Sequence, residues 1–355
     1  MDHEGRIAKV VDAVGGKNVD ALLVTDLTNV RYLTGFSGTN AQVLVSATEA
    51  TFFSDPRYRA RATELVSGAE VVIYPDRLTD VLSDHLSGRR LGVEAHSMTL
   101  LGKSGLEDAL EDVEIEPVSG VIEDLRRIKE PAELELIRKA VAIGDEVFSS
   151  VLEGVAPGSS EREVALGIEV GLRTTGAERV SFEPIVGSGP LSAHIHHTPS
   201  DRVFEKGDLV LLDFGCVVEG YCSDLTRTVV LGAATDDQRD LYSLVLEAQR
   251  RGIEFVAAGA SGPDVDAAAR SVIDGGGHGD DFGHGLGHGV GLDVHEAPRL
   301  HRASTDTLVA GDVVTVEPGV YVAGVGGVRI EDCVWVRDGG AVVLGGAPKD
   351  QLLEL

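Results

Sequence analysis

The stretch KGDLVLLDFGCVV, residues 206–218, runs through an apolar segment to an acid, Asp213, and then to Phe-Gly. A second stretch, AGDVVTVEPGVYV, residues 310–322, repeats that pattern. Gly207-Asp208 matches Gly311-Asp312, Asp213 falls opposite Glu317, and Gly215 falls opposite Gly319. Each reads as a strand closing in a turn. Each is followed by a second strand with another acid: SDLTRTVVL with Asp224, and RIEDCVWV with Glu331. HHTP (196–199) echoes HEAP (295–298) in the same order. This is the pattern of a duplicated half-domain, in which two hairpins bring four carboxylates to one centre.

Asp213 ends LVLLD and Glu317 ends VVTVE, so both are expected to be at least partly buried. A buried carboxylate needs a cation, hydrogen bonds or a proton. Four together repel. Arg227 and Arg329 lie close in sequence and offset part of that, but divalent cations do it better. Carboxylates with an imidazole suit Mn2+, Co2+ or Zn2+. Two such ions about 3.5–4 Å apart share bridging carboxylates and a bridging hydroxide.

The segment FGHGLGHGVGLDVHEAP, residues 282–298, supplies imidazoles: His284, His288 and His295. His284 and His288 are four apart, but each intervening Gly costs a helix about 1 kcal/mol relative to Ala. An extended strand fits better, with both histidines on one face and glycines where backbone or substrate comes close. Taken singly, each of these residues has a plainer reading: a structural histidine, or a turn-forming Asp. The joint pattern carries the metal reading.

Outward from this core, residues 1–125 alternate candidate strands (21–24, 41–46, 51–54, 70–74, 90–94) with amphipathic stretches such as YRARATELV and LTDVLSDHL, an α/β layer. They hold no phosphate-binding Gly loop and no cluster of His with carboxylates. Glu130-Pro131 opens a helix, whose apolar face is Leu134, Ile137, Val141, Phe148 and Val151. Ser159 or Ser160 caps the next. The expected division is residues 1–127 and 128–355.

The chain has 355 residues, long enough for two cores. Its net charge of −27 argues against nucleic acid and anionic membranes as partners. No apolar run approaches the roughly 18–20 residues of a membrane span. The first residues, MDHEGRIAKVVDAV, have no signal-peptide apolar region, so a cytoplasmic location is expected. Cys216, Cys222 and Cys333 form neither a disulfide framework nor a CxxC zinc pattern and are expected to be reduced packing residues.

LLDFGCVVEGYCSDLTRTVVLG, GHGLGHGVGLDVHEAP, TVEPGVYV and GGVRIEDCVWV closely resemble the pita-bread metallopeptidases, in their Xaa-Pro branch of aminopeptidase P and prolidase. NVRYLTGFSGTNAQVLVS, FFSDPRY and IKEPAELELIRKA resemble the rest of that branch, so the likeness covers nearly the whole chain. The resemblance implies an α/β creatinase-type N-terminal domain followed by an α+β pita-bread catalytic domain. It implies two divalent ions, Mn2+ first, with Co2+ or Zn2+ as alternatives, held by Asp213, Asp224, His288, Glu317 and Glu331. Asp224 and Glu331 would bridge both.

His196, His284 and His295 match histidines that line the substrate site, and Arg329 matches a supporting arginine. The usual Pro-His pair is Ile195-His196 here, flanked by His194 and His197; spacing to Pro199 and Asp201 favours His196. The implied reaction is attack of a metal-bridging hydroxide on the Xaa-Pro bond of dipeptides or short peptides. Glu317 shuttles the proton, and His196 and His295 stabilise the oxyanion.

Arg299 sits where some prolidases place a carboxylate-binding arginine. Dipeptidase and aminopeptidase both stay open, with a lean to dipeptides. The resemblance further implies a homodimer. Other classes are a catalytically silent binding module, an aminopeptidase without proline specificity, and a metal-free creatinase-like amidinohydrolase. The intact ligand set speaks against the first and last.

Overall fold

The computed structural model describes residues 1–86 and 88–355. The chain divides into two compact units, Met1–Arg126 and Arg127–Leu355.

The first unit is built on a mixed six-stranded sheet. Its strands are β1 (Ala21–Val24), β2 (Gln42–Ser46), β3 (Ala50–Ser54), β4 (Glu70–Ile73), β5 (Arg90–Glu94) and β6 (Glu114–Val118), in the order β4-β3-β2-β1-β5-β6. β1 and β3 are buried along their whole length. Helices α1 (His3–Gly15), α2 (Leu27–Thr34), α3 (Arg59–Leu65), α4 (Thr79–Leu82), α5 (Leu100–Ala109) and α6 (Glu123–Arg127) complete the layer. Sequence patterning locates β1 to β5 but not β6. In EIEPV only Ile115 and Val118 are buried, and Pro117 falls at the sheet edge, where a missing donor does no harm.

Glu94, at the end of β5, accepts hydrogen bonds from Thr25 N (2.6 Å), Asp26 N (2.8 Å) and Asn29 Nδ2 (2.7 Å). It thereby ties the start of α2 to the sheet. His96 and Glu123 lie beside it, so the fold does gather a histidine with two carboxylates in this unit, contrary to expectation; His96 is two residues from Glu94, and Glu123 is brought in by the start of α6.

The second unit has two matching halves. In the first, α7 (Pro131–Val151) and α8 (Glu161–Thr175) pack on β8 (Ile185–Ser188), β9 (Leu209–Phe214) and β12 (Leu225–Val230). The short strands β7 (Arg179–Val180), β10 (Cys216–Val218) and β11 (Tyr221–Cys222) flank them. In the second, α9 (Asp236–Phe255) and α10 (Gly262–Gly275) pack on β15 (Val313–Val316) and β18 (Asp332–Arg337). β13 (Gly287–Gly289), β14 (Glu296–Leu300) and β19 (Gly340–Val343) belong to the same sheet as β15 and β18. β16 (Gly319–Val322) pairs with β17 (Gly326–Arg329), and β20 (Leu353–Glu354) lies beside β12.

The expected helix signals hold in detail. Glu130 caps α7 in a capping box with Glu133, and Pro131 stands in the first turn. The five apolar residues singled out on that helix are all buried. Ser160, not Ser159, caps α8, because its hydroxyl reaches Glu163 N. The three cysteines are buried and free.

The repeat read from the sequence corresponds to equivalent strands. Asp213 lies on β9 opposite Thr226 of β12, and Asp224 immediately precedes β12. Glu317 immediately follows β15, and Glu331 immediately precedes β18. Glu331 N donates to Thr226 O at 3.1 Å, so the two halves meet where the acids lie.

Candidate metal centre

Hydroxyl side chains orient the acids. Thr226 Oγ1 donates to Glu331 Oε2 at 2.7 Å, and Arg329 Nε donates to the same threonine oxygen at 3.1 Å. Thr315 Oγ1 donates to Glu317 Oε1 at 3.1 Å and accepts from His288 N at 3.0 Å. The Arg329 guanidinium also binds Asp213 Oδ2.

His288 is fixed at both ends. A carbonyl only accepts, so the 3.1 Å contact of its Nδ1 with Gly289 O places the proton on Nδ1. Nε2 then presents its lone pair, 3.2 Å from Glu317 Oε1 and 3.7 Å from Asp224 Oδ2. One ligand atom from each of Asp224, His288 and Glu331 lies within 4.8 Å of the others, a group able to hold an ion.

Two buried oxygens in this cluster, Asp213 Oδ1 and Glu331 Oε1, have no hydrogen-bond partner. Orphaned buried carboxylate oxygens are costly. An oxygen-seeking divalent cation removes that cost, so the residues fit the ions that the sequence pattern implies.

The electrostatics agree. Burial, then the neighbouring carboxylates, pushes Asp224 and Glu331 well above the usual carboxylate range. Burial also raises Asp213, against the pull of Arg329. Glu317 behaves differently. Burial pushes it up, but its contact with His288 and the positive charge of Arg329 hold it down at about 2.

The cluster forms the floor of a cavity of about 940 Å³. His196, His284, His295 and Arg299 line it together with all five candidate ligands, Asp213, Asp224, His288, Glu317 and Glu331. The His295 ring stands edge-to-face on His288, centroids 4.3 Å apart, and burial with nearby positive charge lowers its pKa to about 4. Of the three neighbouring imidazoles, His197 is engaged by Glu161 at 2.8 Å and His194 packs on His197, while His196 and His197 reach the cavity wall.

Two expectations need correction. His284 is not on the strand with His288. β13 covers only Gly287–Gly289, and His284 lies in the preceding bend. Its Nδ1 meets Gly285 O at 2.7 Å, so Nε2 accepts from Tyr321 Oη at 2.8 Å. The glycines serve close backbone approach rather than a long strand. A Cβ on Gly287 would fall 2.0 Å from Thr315 O, and one on Gly289 would fall 2.2 Å from Ala297 O. The second correction concerns Arg227, which points away from the acids and binds Asp332 behind them at 2.7 Å.

Tyr321, not singled out from the sequence, lies between Arg329 and His284. Its hydroxyl accepts from Arg329 Nη1 at 2.8 Å. Thr226 and Thr315 were also missed. The only sequence signal for these residues is their place on the repeated strands.

The model of metallopeptidase family M24 matches residues 135–338, and that of the creatinase/prolidase N-terminal domain matches residues 6–128. The Xaa-Pro dipeptidase of Pyrococcus furiosus is 36% identical, with 95% of this chain and 96% of that protein covered. The solved structure of a Xaa-Pro dipeptidase from Bacillus anthracis superposes with a TM-score of 0.97 at 39% identity, covering 99% of this chain and 100% of that one. The X-Pro aminopeptidase of Thermotoga maritima superposes with a TM-score of 0.91 at 32% identity, covering 98% and 99%.

Proposed function

This chain belongs to metallopeptidase family M24, and on that premise we propose that it hydrolyses the Xaa-Pro bond at the N-terminus of dipeptides or short peptides. Its fold is the pita-bread fold preceded by a creatinase-type N-terminal domain, with limits at residues 1–127 and 128–355. The observation that carries the reading is the group of buried acids around His288 with two orphaned oxygens.

Asp213, Asp224, His288, Glu317 and Glu331 hold two divalent ions, with Mn2+ the expected metal. When bound, such ions polarise a carbonyl and lower the pKa of water.

The protein's own groups do the rest. Glu317, held ionised at neutral pH, takes a proton from the attacking water and delivers it to the proline nitrogen as the C–N bond breaks. His295 is neutral at that pH and, with His196, offers N–H donors to the carbonyl oxygen as charge develops there. Arg329 holds Asp213, and Tyr321 keeps His284 in one orientation. A proline nitrogen carries no N–H, so the cavity must select the ring by shape.

Arg299 on the cavity wall favours the dipeptide reading. A guanidinium binds a terminal carboxylate through paired hydrogen bonds. A homodimer in the cytoplasm belongs to the same proposal. The test is alanine release from Ala-Pro and Ala-Pro-Ala, side by side, with Mn2+. Cleavage of the dipeptide alone means a dipeptidase, and cleavage of the tripeptide means an aminopeptidase. If the folded, metal-loaded protein cuts neither, the Xaa-Pro reading fails.

A further inference from the structure

Glu331 is held at almost every polar atom. Its N–H donates to Thr226 O, and its Oε2 accepts from Thr226 Oγ1. Its carbonyl accepts from Arg227 Nη1. Only Oε1 has no partner, and the metal reading assigns that oxygen to an ion.

Arg227 is 1% exposed and lies three residues after Asp224, so one side chain on the Asp224 strand fixes the backbone of Glu331. Its guanidinium has five N–H groups, and each has a partner. Nε and one Nη2 hydrogen donate to Ala347 O at 3.3 and 2.8 Å. Nη1 donates to Thr226 O at 2.9 Å and to Glu331 O. Nη2 also donates to Asp332 Oδ1 at 2.7 Å.

Asp332 follows Glu331 and is 2% exposed. Its other oxygen accepts from Gln249 Nε2 of α9 at 2.7 Å and from Lys349 Nζ. Ala347 is itself held, its N–H donating to Asp145 Oδ1 of α7 at 3.1 Å. Helices from both halves and the segment 345–349 therefore converge on one ion pair behind the acids.

We infer that the Arg227–Asp332 pair, completed by Lys349 and Ala347, is a positioning device that sets where Glu331 stands relative to Asp224 and so governs metal affinity. Neither residue touches an ion or substrate. The inference rests on the reading of Asp224 and Glu331 as metal ligands. Supporting residues of this kind typically change metal affinity about 10- to 100-fold when replaced.

The test is calorimetric titration of Mn2+ into the metal-stripped full chain, for wild type, Arg227→Lys, Asp332→Asn and Lys349→Met. Far-UV circular dichroism and melting of the stripped proteins report folding. Arg227→Lys cannot make five hydrogen bonds and is expected to weaken Mn2+ binding about 10- to 100-fold. Lys349→Met, at a side chain 19% exposed, is expected to weaken it less while keeping the fold.

Arg250→Ala removes an exposed pair with Asp350 beside the same segment and is expected to change nothing. Folded variants that bind Mn2+ with wild-type affinity and stoichiometry overturn the inference. If Arg227→Lys does not fold, Lys349→Met and Asp332→Asn decide by the same criterion. Wild type that binds no Mn2+ overturns the metal reading itself, and that result is visible without any variant.

Discussion

His288 Nε2 lies 3.2 Å from Glu317 Oε1, and Thr315 bonds to both residues. One hydroxyl thus couples the backbone N–H of His288, in the Gly-rich segment, to the acid that follows β15. His288→Ala removes both the contact and a proposed ligand. It is expected to lower Mn2+ stoichiometry and abolish peptide cleavage while the far-UV circular dichroism stays that of wild type. Full activity with two ions bound would remove His288 from the ligand set.

The acids also set a pH dependence. In the metal-free protein Asp224 and Glu331 have raised pKa values, so the folded state binds their protons more tightly than the unfolded chain does. Their contribution to stability is present at low pH. It is lost as pH rises from about 4, the ordinary carboxylate value, through the raised folded values. Ions replace those protons. The melting-temperature gain on adding Mn2+ to stripped protein is therefore expected to grow with pH above about 4. A gain that stays constant across that range would contradict it.

Tyr321 links Arg329 to His284 through a hydroxyl buried with both. Tyr321→Phe leaves the ring and removes the link. A buried hydrogen bond to a charged group contributes roughly 1.5–3 kcal/mol, so kcat is expected to fall about 10- to 100-fold. Metal content should not change, because Tyr321 bonds to none of the five proposed ligands. Metal loss in this variant, or an unchanged kcat, would show that the link does something else.

Much of this centre is legible in the sequence. Asp213 and Glu317 end apolar runs, and Asp224 and Glu331 begin the next ones, so the repeat alone places four acids at the ends of equivalent strands. What it did not reveal depends on which strand neighbours which. Thr226 and Thr315 read as ordinary strand formers until pairing puts their hydroxyls on Glu331 and Glu317.

The orientation of Arg227 follows from strand geometry. Successive strand residues face opposite sides, so with Thr226 facing Glu331, Arg227 had to face away. His284 does not share a strand face with His288 because the Gly-rich run is mostly bends, and the two-residue period applies only inside a strand.

On the proposed reading Arg299 carries the choice between dipeptide and longer substrates. Among the described residues its guanidinium has no ion-pair partner, although its backbone N–H is anchored by Asp306 at 2.8 Å. Arg299→Ala is expected to raise KM for Ala-Pro about 10- to 100-fold, the loss of a charge-assisted hydrogen bond of roughly 1.5–3 kcal/mol. Its kcat should change little. If KM for the dipeptide does not move, the terminal carboxylate binds elsewhere.

Metal-dependent cleavage before proline is tested by titrating Mn2+ into stripped protein and following alanine release from Ala-Pro and from Ala-Ala in parallel. Ala-Pro hydrolysis is expected to rise from baseline and saturate at two ions per chain, with Ala-Ala cleaved far more slowly. Equal cleavage of the two dipeptides would contradict the proline preference, and no hydrolysis with two ions bound to folded protein would contradict the account as a whole.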